Sequence, residues 1–235
     1  MSATVLYMSM SLDGFIAGPN ERVDNGLGDG GHRLHEWALS GGVGGVNGQV
    51  VDEFMSTGAV VAGRGTVEPA GHWGGDHHDG VPIFILSRRK PDSDVAKWPL
   101  VSYVSDVSTV MSEAKRAAGD KNVLVHGAGT AQLALAAGVL DELEIHLVPV
   151  LLGQGRRLFD NLSPEHIELE RTRTLEGEGG MTHRALPRPA LNAPSWRSAR
   201  SVHRRDEVVE LAVLERAEHD QLRDRHVTDE RLDHR

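Results

Sequence analysis

The sequence contains no cysteine among its 235 residues, which excludes disulfides, thiolate nucleophiles and cysteine-ligated zinc. Aromatic residues make up only 4% of the chain. No apolar run approaches the ~20 residues that span a bilayer. Residues 1–7 lack a basic stretch ahead of an apolar one, so no signal peptide is predicted. We therefore expect a cytoplasmic protein with no membrane partner.

Positive charge is also in short supply, since the net charge is −9 at pH 7. A general nucleic-acid binder needs a basic surface to attract phosphates, so no nucleic-acid partner is expected. A small phosphorylated ligand remains compatible, because a few well-placed arginines suffice to bind it. Hydrophobic residues make up 39% of the chain, enough for a buried core.

Glycine is missing from residues 184–235, although the chain contains 27 glycines. This segment also lacks Lys, Phe, Tyr, Ile and Met, and it carries 11 Arg and 10 Asp or Glu. Three prolines within 185–195 disfavour both helix and sheet, and a single amphipathic helix is predicted over 206–223. The composition predicts a folded domain over 1–183, followed by an atypical, partly disordered tail.

Short β-rich apolar runs alternate with helical patterns before this tail. Strands are predicted at 4–10, 59–63, 82–87, 100–104, 122–126 and 142–150, and helices at 49–57, 107–118 and 131–138. Glycine-rich stretches at 26–31 and 41–48 are interpreted as mobile loops. Buried strands that alternate with helices indicate an α/β sheet with helices on both faces.

Two glycine turns follow predicted strands. They are Gly63-Arg64-Gly65-Thr66, and Gly127-Ala128-Gly129-Thr130 directly after His126. Glycine lets the backbone approach a ligand closely, and the free amides of a helix start favour a phosphate. The second turn lacks the third glycine of a full dinucleotide motif, and each turn alone is compatible with an ordinary strand-to-helix connection. Because ligands of open α/β sheets collect at one edge, the pair predicts a dinucleotide site.

A third turn, Ser87-Arg88-Arg89-Lys90, follows another predicted strand. A hydroxyl followed by three cations at a strand end suits the adenosine 2′-phosphate that distinguishes NADPH from NADH. The alternative is a solvated basic turn.

The order of these motifs resembles that of dihydrofolate reductases. The matching residues are Gly63-Arg64-x-Thr66-x-Glu68, Ile85-Leu86-Ser87 and the Gly127 turn. Two further segments, Ser11–Ala17 and Pro149–Gly153, look closer to a sister group: the C-terminal reductase domain of bacterial riboflavin-biosynthesis deaminase-reductases and its stand-alone relatives. The resemblance covers residues 4–183. It implies a three-layer α/β/α dihydrofolate-reductase-like fold with a mixed, mostly parallel central sheet, and a homodimer.

The resemblance also implies a set of site residues. NADPH would be bound by Ala17, Gly63, Arg64, Thr66, Ser87, Arg88, Arg89, Gly127, Ala128, Gly129, Thr130 and Ala131. The substrate would contact Ser11, Leu151 and Gly153. Trp37, with His32 and His35 nearby, is a further candidate for the wall of the substrate pocket, and its alternative is to pack on the core from an amphipathic helix. Asp13 is the candidate catalytic residue that supplies or relays a proton, although the Asp13-Gly14 pair also suits a simple turn.

The implied reaction is hydride transfer from NADPH to a small heterocycle, of the 5-amino-6-(5-phosphoribosylamino)uracil reductase type. Folate is disfavoured, because dihydrofolate reductases hold the pteridine with an acid on the first long helix and the equivalent stretch here is glycine-rich. We expect no zinc deaminase domain, since its cysteine ligands are missing. Two alternatives stay open: a reductase of another pterin or heterocycle, and a non-catalytic nucleotide-binding or interaction protein.

A cluster of histidines and acids suggests a metal site, formed by His72, Asp76, His77, His78 and Asp79. Adjacent histidines cannot easily turn to one ion, however, and the segment is rich in glycine, so no metal is expected. Arg156 and Arg157 are interpreted as residues of a solvated loop. The alternative is that they bind a phosphate of the substrate.

The tail has a further interpretation. The family's last strand often reads Thr-His-Leu-Arg-Tyr-Arg-Val, and here the pattern stops after Thr182-His183. Residues 185–189 can be written in codons that give Arg-Tyr-Arg-Val when read one base later. We therefore predict either a shifted reading frame or a genuine extension, which resequencing distinguishes. Loss of the last strand would cost several kcal/mol against a typical margin of ~5–15 kcal/mol.

Overall fold

The computed structural model describes residues 2–39, 44–91, 95, 97–162 and 166–188, and their strands form one large sheet and one small one. The strands are β1 (Thr4–Ser11), β2 (Phe15–Ala17), β3 (Ala59–Gly63), β4 (Ile83–Leu86), β5 (Val101–Val104), β6 (Val123–His126), β7 (Glu142–Val148), β8 (Arg156–Arg157), β9 (Arg173–Glu176) and β10 (Thr182–Pro187). The α-helices are α1 (Glu36–Leu39), α2 (Gly45–Met55), α3 (Arg64–Val67), α4 (Val107–Ala118) and α5 (Ala128–Ala136). Among the described residues, no helix is long and apolar enough to cross a membrane.

The large sheet is mixed and mostly parallel, as predicted. Its strand order is β5-β4-β3-β6-β1-β7-β10-β9, and only the pairs that involve β10 are antiparallel. The small sheet pairs β2 with β8. This arrangement brings the carboxyl ends of six parallel strands to one edge.

Helices cover both faces of the sheet because buried strand residues alternate between two cores. Leu6 and Val61 pack with α4 and α5 on one face. Val5 and Val60 pack on the other face with Phe54 of α2 and Val67 of α3. Every residue of β3 except the last is fully buried, which explains its continuous apolar sequence.

The predicted loop over 41–48 is wrong where the structure describes it, because α2 already begins at Gly45. Gly45 has a φ of +61° and precedes two free amides that a distant side chain satisfies. The Glu178 carboxylate accepts hydrogen bonds from the amides of Val46 (3.2 Å) and Asn47 (3.1 Å). A carboxylate at a helix N-terminus stabilises the first turn, so the glycine-rich sequence starts a helix.

The last strand forms even though its sequence departs from the family pattern. Strand β10 continues through Pro187 and lies between β7 and β9. His183 and Ala185 face the protein interior while Arg184 is exposed, so the alternation of a strand persists beyond the point where the family pattern stops. Residues 184–187 thus belong with the domain. The helix predicted over 206–223 lies outside the described residues.

Candidate active site

A cleft of two adjoining cavities opens at the carboxyl edge of the large sheet. We call the larger one, about 450 Å³, the turn cavity, since Gly65, Thr66 and Gly127 line it. The smaller one, about 220 Å³, is the aromatic cavity, lined by residues that include Trp37 and His146. The two cavities share Met8, His35, Leu39, Phe54 and His126 as wall residues. The location is where open α/β sheets bind ligands.

The two predicted glycine turns interlock beside the turn cavity, because β3 and β6 are adjacent parallel strands. A β-carbon on Gly63 would lie 3.1 Å from Thr130 Oγ1. A β-carbon on Gly127 would collide with Thr66 Oγ1, and Gly127 has a φ of +86°. Each turn therefore places its threonine over the glycine of the other turn. The sequence prediction that these turns meet at one edge agrees with this geometry.

The start of α5 has the properties of an anion site. No side chain of the described residues caps this helix, and the backbone at Gly129 faces open space. Thr130 Oγ1 is buried and finds no hydrogen-bond partner within the described part of the chain. Arg156 Nη1 lies 3.0 Å from the position that a Gly65 β-carbon would take. The free amides and the unsatisfied hydroxyl are donors of the kind that a phosphate requires, and Arg156, whose Nε donates to Glu21 Oε1 at 2.7 Å, adds a cation to the wall of the turn cavity.

Arg64 performs a structural task in the neighbouring turn. Its largely buried guanidinium forms an ion pair with Glu68 and donates to the Lys90 carbonyl at 3.1 Å. It also lies 5.7 Å from the centre of the Tyr103 ring. Arg64 consequently ties α3 to the turn that follows β4. Its predicted contact with a cofactor stays a prediction.

The Ser87 turn presents its cations to solvent. Ser87 Oγ donates to the Arg89 carbonyl at 2.9 Å and accepts from the Arg89 amide at 3.1 Å, which closes the turn. Arg88, Arg89 and Lys90 are all exposed. Arg89 Nη2 lies 4.0 Å from Glu68 Oε2, so Glu68 is a charged neighbour of two arginines.

Asp13 links two loops and lines neither cavity. Its carboxylate accepts hydrogen bonds from Ser11 Oγ (2.5 Å) and from the amides of Leu152 (3.2 Å) and Gly153 (2.7 Å). These bonds, the Ser11 hydroxyl first among them, lower the pKa of Asp13 to about 2. The carboxylate thus ties the loop after β1 to the loop after β7, and the predicted catalytic role of Asp13 stays a prediction.

Of the four predicted substrate residues, only Trp37 lines a cavity. Ser11 is buried and accepts from the Phe15 amide at 2.9 Å, Leu151 is 71% exposed, and Gly153 contacts Asp13. Trp37 Nε1 donates to Ser9 Oγ at 2.9 Å, which fixes the indole in the wall of the aromatic cavity. Among the predicted cofactor residues, the turn cavity is lined by Ala17, Thr66 and Gly127.

Histidines line much of the cleft, and the sequence analysis did not identify them as site residues. They are His35, His77, His126 and His146. Burial lowers the pKa of His35 and of His77 to about 4, lowers that of His126 to about 3, and places that of His146 well below its usual value. All four are thus neutral near pH 7. Two local signals were present: His35 lies two residues from Trp37, and His126 is a polar residue that ends a buried strand next to the Gly127 turn.

The histidine and acid cluster at 72–79 is divided among other contacts. His72 Nε2 lies 3.1 Å from the Tyr103 hydroxyl. His77 and His78 face each other through their Nδ1 atoms at 2.7 Å, and His78 Nε2 lies 3.2 Å from Thr57 Oγ1. In the described ranges, no group of three or more His, Cys, Asp or Glu side chains is arranged to hold a metal ion.

Comparison with known proteins gives one family and a set of similar structures. A family model described as the RibD C-terminal domain matches residues 3–181. A putative riboflavin biosynthesis protein from Shewanella sp. PV-4 has a TM-score of 0.63 at 22% identity, over 80% of this chain and 99% of that one. RibD from Acinetobacter baumannii has a TM-score of 0.55 at 16% identity, over 81% of this chain and 59% of that one.

A pyrimidine reductase-like protein from Corynebacterium diphtheriae has a TM-score of 0.53 at 12% identity, over 80% of this chain and 92% of that one. Identities this low show the shared fold and nothing finer. No curated protein matches the chain significantly. The fold predicted from the sequence is confirmed.

Proposed function

Because the chain belongs to the RibD C-terminal domain family, we propose that it is an NADPH-dependent reductase that transfers a hydride to a small heterocycle. The first candidate substrate is 5-amino-6-(5-phosphoribosylamino)uracil or a close relative. The observation that carries the proposal is the anion site at the start of α5, where Thr130 Oγ1 is buried without a partner in the described residues. A phosphate of the cofactor would satisfy that hydroxyl.

The residues around the turn cavity fit such a cofactor. The amides of Gly129 and Thr130, the Thr130 hydroxyl and the Arg156 guanidinium would bind the pyrophosphate. The exposed Arg88 and Arg89 would bind the adenosine 2′-phosphate. When bound, the cofactor supplies the hydride, and the protein contributes position, orientation and the exclusion of water.

The aromatic cavity suits a planar, uncharged ring. Trp37 and Phe54 offer flat faces, and the neutral histidines offer hydrogen bonds without charge. Since these imidazoles carry no extra proton near pH 7, they orient the substrate, and the proton that accompanies the hydride comes from water. Asp13 contributes by holding the loop after β1 against the loop after β7.

One observation favours a pyrimidine over a pterin substrate. No Asp or Glu lines the aromatic cavity within the part of the chain that the structure describes. Helix α2 does carry two acids, but Asp52 is exposed and Glu53 forms a bidentate pair with Arg173. A pteridine-binding acid of the kind that dihydrofolate reductases use is therefore not presented to the cavity.

The first experiment is a titration of the purified full-length protein with NADPH, followed by fluorescence, with NADH as the control. We expect NADPH to bind at least about tenfold more tightly, equivalent to about 1.4 kcal/mol. A folded sample that binds neither nucleotide would overturn the proposal. Turnover with the phosphoribosylamino-uracil then tests the substrate. We also propose a homodimer, which the family resemblance supports and which sedimentation tests.

A further inference from the structure

Asn47, a buried residue in the first turn of α2, has a fixed side-chain orientation. Its Nδ2 lies 3.3 Å from the backbone carbonyl of Glu178, an atom that can only accept a hydrogen bond. Nδ2 must therefore be the amide nitrogen, which places Oδ1 against His183 Nε2 at 2.9 Å. The Glu178 carboxylate also accepts a hydrogen bond from the backbone amide of Asn47, so Glu178 binds both the backbone and the side chain of Asn47.

The orientation of Asn47 determines where two histidines carry their protons. Oδ1 only accepts, so His183 Nε2 donates, and a neutral His183 then has a lone pair on Nδ1. His183 Nδ1 lies 3.1 Å from His146 Nδ1, which must donate to it. A neutral His146 is left with its lone pair on Nε2. Burial lowers the pKa of both imidazoles, which keeps both of them neutral.

His146 connects this buried group to the aromatic cavity. His146, His183 and Asn47 are all at least nine-tenths buried, with exposures of 3%, 0% and 5%. Of the three, only His146 lines the aromatic cavity. The centre of the Trp37 ring lies 4.9 Å from the ring centres of both His146 and His183. The indole N–H of Trp37 donates to Ser9 Oγ.

We propose that the chain Asn47–His183–His146 presents His146 Nε2 to the aromatic cavity as a hydrogen-bond acceptor, so that the cavity selects planar heterocycles with an N–H donor on one edge. An amino group or a ring N–H would supply that donor. An acceptor edge placed there would meet a second lone pair and be rejected. This inference rests on the proposed function in one respect: the ring that the cavity selects is taken to be the substrate of the reductase.

The proton positions are measurable without any ligand. Long-range ¹H–¹⁵N correlation spectra of the full-length protein, labelled at histidine, report which ring nitrogen of each histidine is protonated. We expect His146 to carry its proton on Nδ1 and His183 on Nε2. His32, which is exposed, serves as the solvated reference. A proton on His146 Nε2 in the wild-type protein would overturn the proposal.

The substitution Asn47→Asp should reverse the direction of the hydrogen bond between His183 and His146. A carboxylate at this position favours the imidazolium form of His183, whose Nδ1 then donates to His146 Nδ1. His146 is thereby left with its proton on Nε2, and the cavity changes from acceptor to donor. Unchanged proton positions in the folded variant would contradict the argument.

A matched ligand pair tests the selectivity. In mildly alkaline buffer we expect the full-length protein to bind 2,4-diaminopyrimidine about tenfold more tightly than 2,4-dimethylpyrimidine, which has methyl groups in place of the amino donors. His146→Phe should abolish this preference while both probes still bind, and His32→Phe should leave it unchanged. Equal binding of the two probes by the wild-type protein would overturn the inference.

The two proposals fail separately. If the protein binds NADPH but shows no preference for the amino ligand, the inference about His146 falls and the reductase proposal stands. If the preference is found without NADPH binding, the reductase proposal falls and the acceptor role of His146 stands.

Discussion

The two cavities of the cleft are built from different parts of the chain. The turn cavity owes its anion site to backbone amides and close glycine contacts in two short turns, after β3 and β6. The aromatic cavity is built from side chains of five separate elements: Tyr7, Trp37, Phe54, His126 and His146. A site made of backbone fails when the backbone cannot adopt its conformation. A site made of side chains changes its selectivity one group at a time.

The sharpest test of this difference is Gly127→Ala. The substitution forces a β-carbon onto a residue with φ of +86° and against Thr66 Oγ1. We expect the free energy of unfolding to fall by about 2–4 kcal/mol, from strain and overpacking together, in urea titrations. Gly129→Ala is the matched control, because its β-carbon meets nothing within 4 Å. In a helix this control should gain up to about 1 kcal/mol. Equal stability of the two variants would break the comparison.

Acidification should act on the buried histidines of the cleft. The folded-state pKa values of His35, His77 and His126, about 4, 4 and 3, lie below the ordinary value of 6.5. The unfolded chain therefore binds protons first as the pH falls below about 6.5, and stability is lost toward the folded pKa values. Because the cleft gives water access to these rings, we expect a loss of about 2 kcal/mol in unfolding free energy between about pH 7 and about pH 5.

Urea titrations across this range test the expectation. His126→Gln should make the pH profile shallower by the contribution of one proton. A flat wild-type profile would show that the histidines titrate normally in the folded protein.

Thr130→Val separates binding from folding in the backbone-built site. The variant removes a buried hydroxyl that has no partner among the described residues, so stability should be unchanged or slightly higher. We expect the NADPH dissociation constant to rise about five- to tenfold, through loss of one hydrogen bond to a charged group. Thr174→Val, at an exposed position of β9, is the control. Unaltered NADPH affinity would remove Thr130 from the phosphate site.

The smallest effect is expected at the exposed cations. Arg88→Gln should weaken NADPH binding about threefold, because an exposed charge is screened by solvent, and should leave NADH binding unchanged. Arg116→Gln on α4, also exposed, controls for the change in net charge. Equal losses for NADPH and NADH would remove the 2′-phosphate from the Ser87 turn.

Local patterns made the sheet and its glycine turns predictable. All six predicted strands are present in the structure, and all except the half-exposed edge strand β5 are mostly buried apolar runs. Strand β9 escaped prediction because Arg173 and Glu176 leave it without an apolar run. The first turn of α2 escaped because its N-terminal partner, Glu178, is distant in sequence. Such information resides in contacts and not in spacing.

The aromatic cavity was beyond prediction for the same reason. Its histidines come from residues 35, 126 and 146, in elements that the sequence gives no reason to bring together. Trp37 was identified from its position beside His32 and His35, with packing on the core as the alternative. Asp13 shows the same limit: its loop was predicted, but the amides of Leu152 and Gly153 that bind its carboxylate come from a distant part of the sequence.

The interlocking of the two glycine turns has an evolutionary consequence. Thr66 occupies the space that a side chain at Gly127 would need, and Thr130 closely approaches Gly63. A bulkier residue at Gly63 requires Thr130 to give way, whereas at Gly127 the positive φ strains any other residue even where Thr66 is replaced by a smaller one. Among relatives, position 63 should consequently covary with position 130, while position 127 should stay glycine.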